Sequence, residues 1–232
     1  MNTLVECKGL KKFFGPYTAL NNVSLTLDRG RIIGLLGPNG SGKTTFIKIL
    51  TGLLTPDAGE ILINGNPPGI ETKKIISYLP DKNMFCNWMT AKDLIKFFKD
   101  FFEDFDERKA EEMLQRLNLD PNQKLKAMSK GTLEKVQLIM TMSRQASLYC
   151  LDEPIGGVDP ASREYILNTI INNYSENASV LISTHLISEV ETVLDDVVFI
   201  KNGQIFLTSS VDQIRQEKGM SVDALFREEF RC

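Results

Sequence analysis

Long apolar runs are missing from this sequence: the longest, such as IIGLLG, fall far short of the ~20 residues that a membrane-spanning helix needs. The opening MNTLVECKGLKK has no apolar core of the kind a signal peptide carries. Basic residues are not in excess either. With 27 Lys and Arg against 30 Asp and Glu, the formal net charge is −3, which argues against a nucleic-acid partner. The four cysteines, Cys7, Cys86, Cys150 and Cys232, show no CxxC or metal-ligand spacing and read as reduced thiols. Repeats, low-complexity tracts and linkers are absent as well. Histidine occurs once, as His185, directly after the apolar run SVLIST. A lone imidazole is ordinarily a structural residue, and its place at the end of a buried run asks for a reason. The expectation is a cytosolic chain whose membrane role, if any, comes through a partner.

What is present is ordinary in bulk and specific in pattern. Hydrophobic residues make up 42% and charged residues 25% of 232, enough for one large domain or one domain with a small insert. VSLTLDRG alternates and ends in a turn signal, and GEILINGN is a short strand closed by Asn64-Gly65, so the first segment reads as antiparallel strands. RIIGLLG, SLYCLDEP and SVLISTH are continuous apolar runs, each followed by helical pattern; they read as parallel strands buried on both faces, with crossover helices. The stretch 87–145 is charged, Phe-rich and helical in period, an insert on this α/β core. Phe97, Phe98, Phe101, Phe102 and Phe105 recur there at helical spacing, mostly as insert core, with some left to face a partner. DDVVFIKNGQIFLTS reads as a hairpin with an Asn-Gly turn, and the tail from Val211 as helix.

Gly37-Pro38-Asn39-Gly40-Ser41-Gly42-Lys43-Thr44 fits GxxxxGK[ST] directly after a strand and at the opening of a helix. In that pattern backbone N–H groups wrap a phosphate chain, the lysine reaches the outer phosphates, and the threonine hydroxyl reaches Mg²⁺. Thr45, next in the helix, is a further ATP-binding candidate, and the helix's positive end points at the same anion. A second site follows LYCL. Asp152, at the C-terminal end of a strand, is placed to hold Mg²⁺ through its water shell, and Glu153 is a candidate general base for water, on the opposite face if the strand continues.

With these two sites in place, the chain resembles the nucleotide-binding subunit of ATP-binding cassette (ABC) transporters over essentially its whole length. The resemblance implies a P-loop α/β fold: a mostly parallel RecA-like sheet, an N-terminal antiparallel β subdomain and an inserted helical subdomain. It divides the chain into a nucleotide-binding core, 1–86 and 146–232, and a helical subdomain, 87–145. It also implies that Phe14, in KKFFG, stacks on adenine. Ser129, Lys130 and Gly131, in MSKGT, fall on the signature motif that meets ATP across a head-to-tail dimer. Asp159 falls in the loop that contacts the opposing subunit, and His185 on the switch histidine near the γ-phosphate. ATP and Mg²⁺ are the implied cofactors. A membrane permease and a second copy, or a homologous subunit, are the implied partners at the inner face of the membrane. Local rules account for part of this independently, since Ser129 can cap a helix and Asp159-Pro160 is an N-cap followed by Pro at the first helical position.

Two departures stand out. Asp81, in ISYLPD, takes the place of a family glutamine at the hinge to the insert, where a shorter, charged side chain can still approach Mg²⁺ or water. In the signature, Lys130 and Thr132 depart from Leu-Ser-Gly-Gly-Gln. These features are similar to those of the YtrB-type and multidrug-resistance exporter subfamily. The other classes weighed are a non-transport ABC ATPase and an ATP-sensing module with low hydrolysis; neither a coiled-coil run, a CxxC nor a basic stripe speaks for the former.

Overall fold

The computed structural model describes residues 2–175 and 177–230, so Cys232 lies outside the described residues. Two sheets face each other across a shared core. The first is antiparallel: β1 (Thr3–Phe14) lies between β2 (Tyr17–Asp28) and β4 (Ala58–Ile63). In β2 the alternation expected from sequence is realised, with Val23, Leu25 and Leu27 buried and Ser24, Thr26 and Asp28 exposed.

The second sheet has the order β5-β6-β7-β3-β8-β9. Its strands are β3 (Ile32–Leu36), β5 (Ile76–Leu79), β6 (Leu148–Asp152), β7 (Ser179–Thr184), β8 (Asp196–Lys201) and β9 (Gln204–Ser210). Pairing is parallel from β5 through β8, and β9 returns antiparallel to β8. Asn202 and Gly203 make that turn with φ of 49° and 72°, the left-handed pair that a two-residue hairpin demands. Every residue of β3, β6 and β7 is buried, so the strands feed two cores at once. Ile33, Leu35, Cys150 and Leu181 face the first sheet and α1 (Lys43–Leu50). Leu36, Tyr149, Leu151 and Ile182 face α6 (Pro160–Asn173), α8 (Val211–Lys218) and α9 (Val222–Glu229). The short helices α2 (Ile70–Ile75) and α7 (Ile187–Val190) complete the core's connections.

Between β5 and β6 stand α3 (Ala91–Phe101), α4 (Glu107–Arg116) and α5 (Lys130–Met142). They pack around a third cluster that includes Leu94, Phe98, Leu114, Val136 and Ile139. The capping box of Thr90 and Asp93 starts α3, and Asp106 caps α4. The phenylalanine run divides by helical phase. Phe98 is buried, and Phe102 and Phe105 pack partly buried against it. One position earlier on the turn, Phe97 and Phe101 point outward, 39% and 69% exposed. Phe85 meets Phe97 edge-on at 6.5 Å, and Met84 and Trp88 nearby in sequence are exposed too. The run is thus half core and half surface.

A buried guanidinium ties the insert to the core. Arg144, 3% exposed, donates to Asp104, to the carbonyls of Ile76 at 2.5 Å and Lys74 at 2.8 Å, and lies 3.9 Å from the centre of the Phe102 ring. Asp104 and Phe102 belong to the insert, while Lys74 and Ile76 belong to α2 and β5. Losing one partner of a buried pair strands the other, at a cost of about 3–5 kcal/mol. Asp104 keeps 24% of its side-chain surface in water, which places Arg144→Leu at the lower end. We expect the urea midpoint of that variant to fall by an amount corresponding to about 3 kcal/mol; an unchanged midpoint would show that the tie carries no load.

Candidate active site

The sheet presents the C-terminal ends of β3, β6 and β7 side by side, and the chemistry collects there. β3 runs into the loop 37–42, and α1 follows at once. Gly42 has φ 109°, and a Cβ at that position would lie 2.6 Å from the Ala19 carbonyl oxygen. Only glycine lets the loop close against β2 and still open the helix. Lys43 is 5% exposed. Its Nζ donates to the Gly37 carbonyl at 2.7 Å and the Pro38 carbonyl at 3.2 Å, and sits 3.4 Å from Glu153 Oε1.

Asp152 closes β6 with its carboxylate fully buried. Oδ1 accepts from Ser183 Oγ at 2.5 Å and from Thr44 Oγ1 at 3.1 Å. Burial pushes this carboxyl above the usual carboxylate range; the two hydroxyl donors pull it down, and the Asp81 and Glu153 charges push it further up. Ser183 was not singled out from sequence. It stands directly opposite Asp152 in the parallel register of β6 and β7, a neighbour that appears only once the strands are paired.

Thr44 and Asp152 fit Mg²⁺. That ion takes one or two carboxylates and completes its octahedron with phosphate oxygens and water. Asp152 Oδ2 is buried without a hydrogen-bond partner, an acceptor that a cation or its water shell would satisfy. Among the described residues no three His, Cys, Asp or Glu side chains converge as an all-protein cage would.

Glu153 corrects one expectation. The strand does not continue through it: β6 stops at Asp152 and Glu153 takes φ 51°, the left-handed region that a side chain other than glycine enters at a cost of about 1–3 kcal/mol. Its amide donates to the Ser183 carbonyl at 3.0 Å, which holds the bend. The carboxylate therefore turns toward the phosphate loop instead of to the far face. Oε2 meets His185 Nδ1 at 3.0 Å, and Oε1 is buried near Lys43 without a hydrogen bond. His185 follows the last residue of β7, with its ring 41% exposed. The single histidine is joined to the candidate base.

A cleft of about 340 Å³ gathers most of the residues singled out from sequence. Phe14 and Tyr17 wall it from the first sheet, Asn39, Gly40 and Gly42 to Thr45 from the loop and α1, and Asp81 and Glu153 from the core. Gly37 and Ser41 lie behind this surface; Ser41 is 3% exposed and its hydroxyl has no partner. Sequence reasoning missed Tyr17, whose hydroxyl donates to the Gly40 carbonyl at 2.8 Å. A larger groove of about 800 Å³ runs between α3 and α4. Lys99 and Glu107 form an ion pair within its lining.

The signature residues and Asp159 lie apart from this cleft, against each other. Ser129 caps α5 by accepting from the Thr132 amide at 3.1 Å, and Asp159 caps α6 by accepting from the Ser162 amide at 3.0 Å. The Ser162 donors hold the Asp159 carboxyl below its ordinary value. The two helix starts touch, since a Cβ on Gly131 would lie 3.6 Å from Ser162 Oγ and 3.8 Å from Asp159 Oδ2. Lys130 lies across Gly157, where a Cβ would collide with its ammonium, and reaches Glu134 at 3.7 Å.

The sequence comparison decides the family. The family model described as ABC transporter matches residues 20–156. The chain belongs to the ABC transporter family. It is 33% identical over 221 residues to the SkfA peptide export ATP-binding protein SkfE of Bacillus subtilis, covering 92% of both chains. It is 29% identical to the ABC transporter ATP-binding protein YtrB of the same organism, covering 92% of this chain and 74% of that one. A solved structure of the ATP binding subunit of an ABC transporter superposes with a TM-score of 0.87 at 29% identity, over 97% of this chain and 98% of that one. The chain is an ATP-binding subunit of this family, with the α/β cassette fold expected from sequence.

Asp152 generates a test in this ABC subunit. Its folded-state pKa lies above the unfolded value, so the ionised carboxylate costs stability. That cost is full above the folded pKa and vanishes below the unfolded one. Asp152→Asn should therefore melt higher than the parent near neutral pH without nucleotide, by about 2–4 °C for each kcal/mol relieved, with the gap narrowing in mild acid. The gain in melting temperature from adding Mg²⁺ to ATP should disappear. A variant that melts lower near neutral pH would contradict the burial argument.

Proposed function

We propose that this chain hydrolyses Mg-ATP to drive a separate membrane permease of the exporter type, working as a head-to-tail pair of cassettes. The observation that carries the reading is the setting of Glu153. A carboxylate bent out of its strand is held between Lys43 and His185, beside a phosphate-loop lysine and a magnesium-type carboxylate. In this reading Phe14 supports the adenine. The 37–42 loop, the amide end of α1 and Lys43 take the triphosphate, and Thr44 and Asp152 hold Mg²⁺. Held there, the metal would supply charge neutralisation to the phosphates. Glu153 accepts the proton of the attacking water, and His185 fixes the Glu153 carboxylate and donates toward the γ-phosphate as charge moves onto it.

One chain holds only half of such a site. Ser129, Lys130 and Gly131 lie at the start of α5, beside Asp159 and outside the cleft, and they would meet the nucleotide of an opposing copy or homologue. The division into a core, 1–86 and 146–232, and an insert, 87–145, is supported by the insert's separate apolar cluster. Exposed Trp88, Phe97 and Phe101 on that insert supply an apolar face for a cytoplasmic segment of the permease. No helix among the described residues is long and apolar enough to cross a membrane, so attachment to the inner face of the cell membrane would run through that contact. The export name of SkfE and the 33% identity to it support the direction of transport.

Glu153→Gln should bind ATP and lose turnover by about 10²–10⁴-fold, and His185→Ala should lose about 10²–10³-fold with ATP affinity nearly unchanged. Single-turnover phosphate release alongside nucleotide binding separates the two quantities. Normal hydrolysis by Glu153→Gln would mean that another group is the base, and a pure affinity loss in His185→Ala would make the imidazole structural.

Asp81 stands in the cleft with Glu153 and adds to the charge felt by Asp152. As a magnesium- or water-facing group, it predicts that Asp81→Gln stays within several-fold of the parent rate while Asp81→Ala falls below it and needs more Mg²⁺. An Asp81→Ala rate and Mg²⁺ dependence equal to the parent's would place Asp81 as a mere cap of the insert.

A further inference from the structure

The base-side wall of the cleft is the tip of a hairpin, and a tip is the loosest place on a sheet. β1 and β2 meet at Gly15, with φ 58°, and the last well-buried residues before the turn region are Ala19 and Leu20. Beyond them Phe13, Phe14 and Tyr17 are 44%, 47% and 54% exposed. Apolar burial therefore does little to fix the tip, and polar contacts must do it.

Beside the β1–β2 ladder, which pairs Phe13 with Thr18 and Phe14 with Tyr17, side-chain contacts tie the tip on opposite sides. Asp57, just before β4, accepts from the Phe13 amide at 2.6 Å and from Lys12 Nζ at 3.1 Å. These donors hold the Asp57 carboxyl below its ordinary value and tie the tip to its own sheet. The other contact crosses to the phosphate loop: Tyr17 Oη donates to the Gly40 carbonyl at 2.8 Å. Gly40 is exposed, with φ 80° and open space where a Cβ would stand. Tyr17 joins a loosely packed hairpin tip to a loosely packed turn of the loop.

We infer that Tyr17 is a positioning residue that locks the tip bearing Phe14 to the phosphate loop, so that the base wall and the phosphate cradle act as one site. The inference rests on the reading of this cleft as a nucleotide site. A ligand with a base at one end and phosphates at the other gains from both ends only if the two subsites keep a fixed separation. Where they drift, part of the second contact is spent on ordering the protein. The hydroxyl is the operative group, because the exposed ring packs against little and adds little to stability.

The test compares Mg-ATP with Mg-tripolyphosphate, which has no base, by calorimetric titration of the parent, Tyr17→Phe, Phe14→Ala and the double variant. Tyr17→Phe should weaken ATP by about two- to ten-fold, the usual net effect of one neutral hydrogen bond. It should leave tripolyphosphate affinity within two-fold, to a rough tolerance, and the melting temperature unchanged. In the Phe14→Ala background the same change should have almost no effect on ATP, since there is no base wall left to register. Equal weakening of both ligands would overturn the inference by showing that Tyr17 only shapes the loop. Effects of Tyr17→Phe and Phe14→Ala that simply add would also overturn it, as would unchanged ATP affinity. Were ATP affinity to survive both Phe14→Ala and Lys43→Ala, the nucleotide reading of the cleft would fall, and this inference with it.

Discussion

One ammonium group, Lys43 Nζ, sets the arrangement of what surrounds it. It is buried, so it cannot rely on water, and it must be satisfied by what the fold supplies. Two loop carbonyls, those of Gly37 and Pro38, accept from it and so fix the curve of the phosphate loop. The Glu153 carboxylate lies beside it as counter-charge, brought there by the left-handed bend that ends β6. Glu153 in turn holds His185 at the end of the neighbouring strand. A triphosphate carries far more charge than one carboxylate, and it would compete for the same ammonium. The cleft is thus arranged around a buried cation held by two carbonyls and one carboxylate.

The cost of this arrangement is visible next to it. Asp152 Oδ2, Glu153 Oε1 and Ser41 Oγ are all buried without hydrogen-bond partners. Buried polar atoms are ordinarily paired, and a cluster of unpaired ones marks a place selected for something other than stability. Three continuous buried strands, two apolar cores and the Arg144 tie surround that place and compensate for it. The rigid part of the molecule and its strained part are adjacent, because the strands that build the sheet core end in the site.

Much of this was legible before any coordinates, and what was legible was local. The strand, loop and helix around 37–44, the Asn202-Gly203 turn and the caps at Ser129 and Asp159 are each set by a few neighbouring residues, and each has the local geometry expected. The buried strands could be read because their apolar runs admit little else. What escaped was long-range. Ser183 became relevant only through its register with Asp152, and Arg144 only because the Ile76 and Lys74 carbonyls and Asp104 converge on it from distant segments. Tyr17 gave no signal, since its partner is a backbone carbonyl and backbone atoms leave no mark in sequence. Glu153 was found as a residue and misplaced as a direction, because alternation assumes that a strand continues. The phenylalanine run mixed two helical stripes, Phe98 with Phe102 and Phe97 with Phe101, which only the packing of α3 could separate.

The departures from the family pattern make physical sense as a set. Asp81, Glu134 and Glu153 all line a small cavity of about 20 Å³ at the start of the 153–159 loop. Burial raises the proton affinity of Glu134, and Lys130, its charged partner, lowers it. A glutamine replaced by Asp81 adds one negative charge to this neighbourhood, and a signature glycine replaced by Lys130 adds one positive charge. Lys130 lies over Gly157, on the same 153–159 loop that carries Glu153, so the added cation and the added anion flank one short segment. Asp81 alone would add to the carboxylate charge of a neighbourhood where Glu134 Oε2 and Glu153 Oε1 are already buried without hydrogen-bond partners, and Lys130 offsets it. Together they leave its net charge where a glutamine and a glycine would have left it, while giving the start of α5 a charged side chain that reaches the 153–159 loop of its own chain.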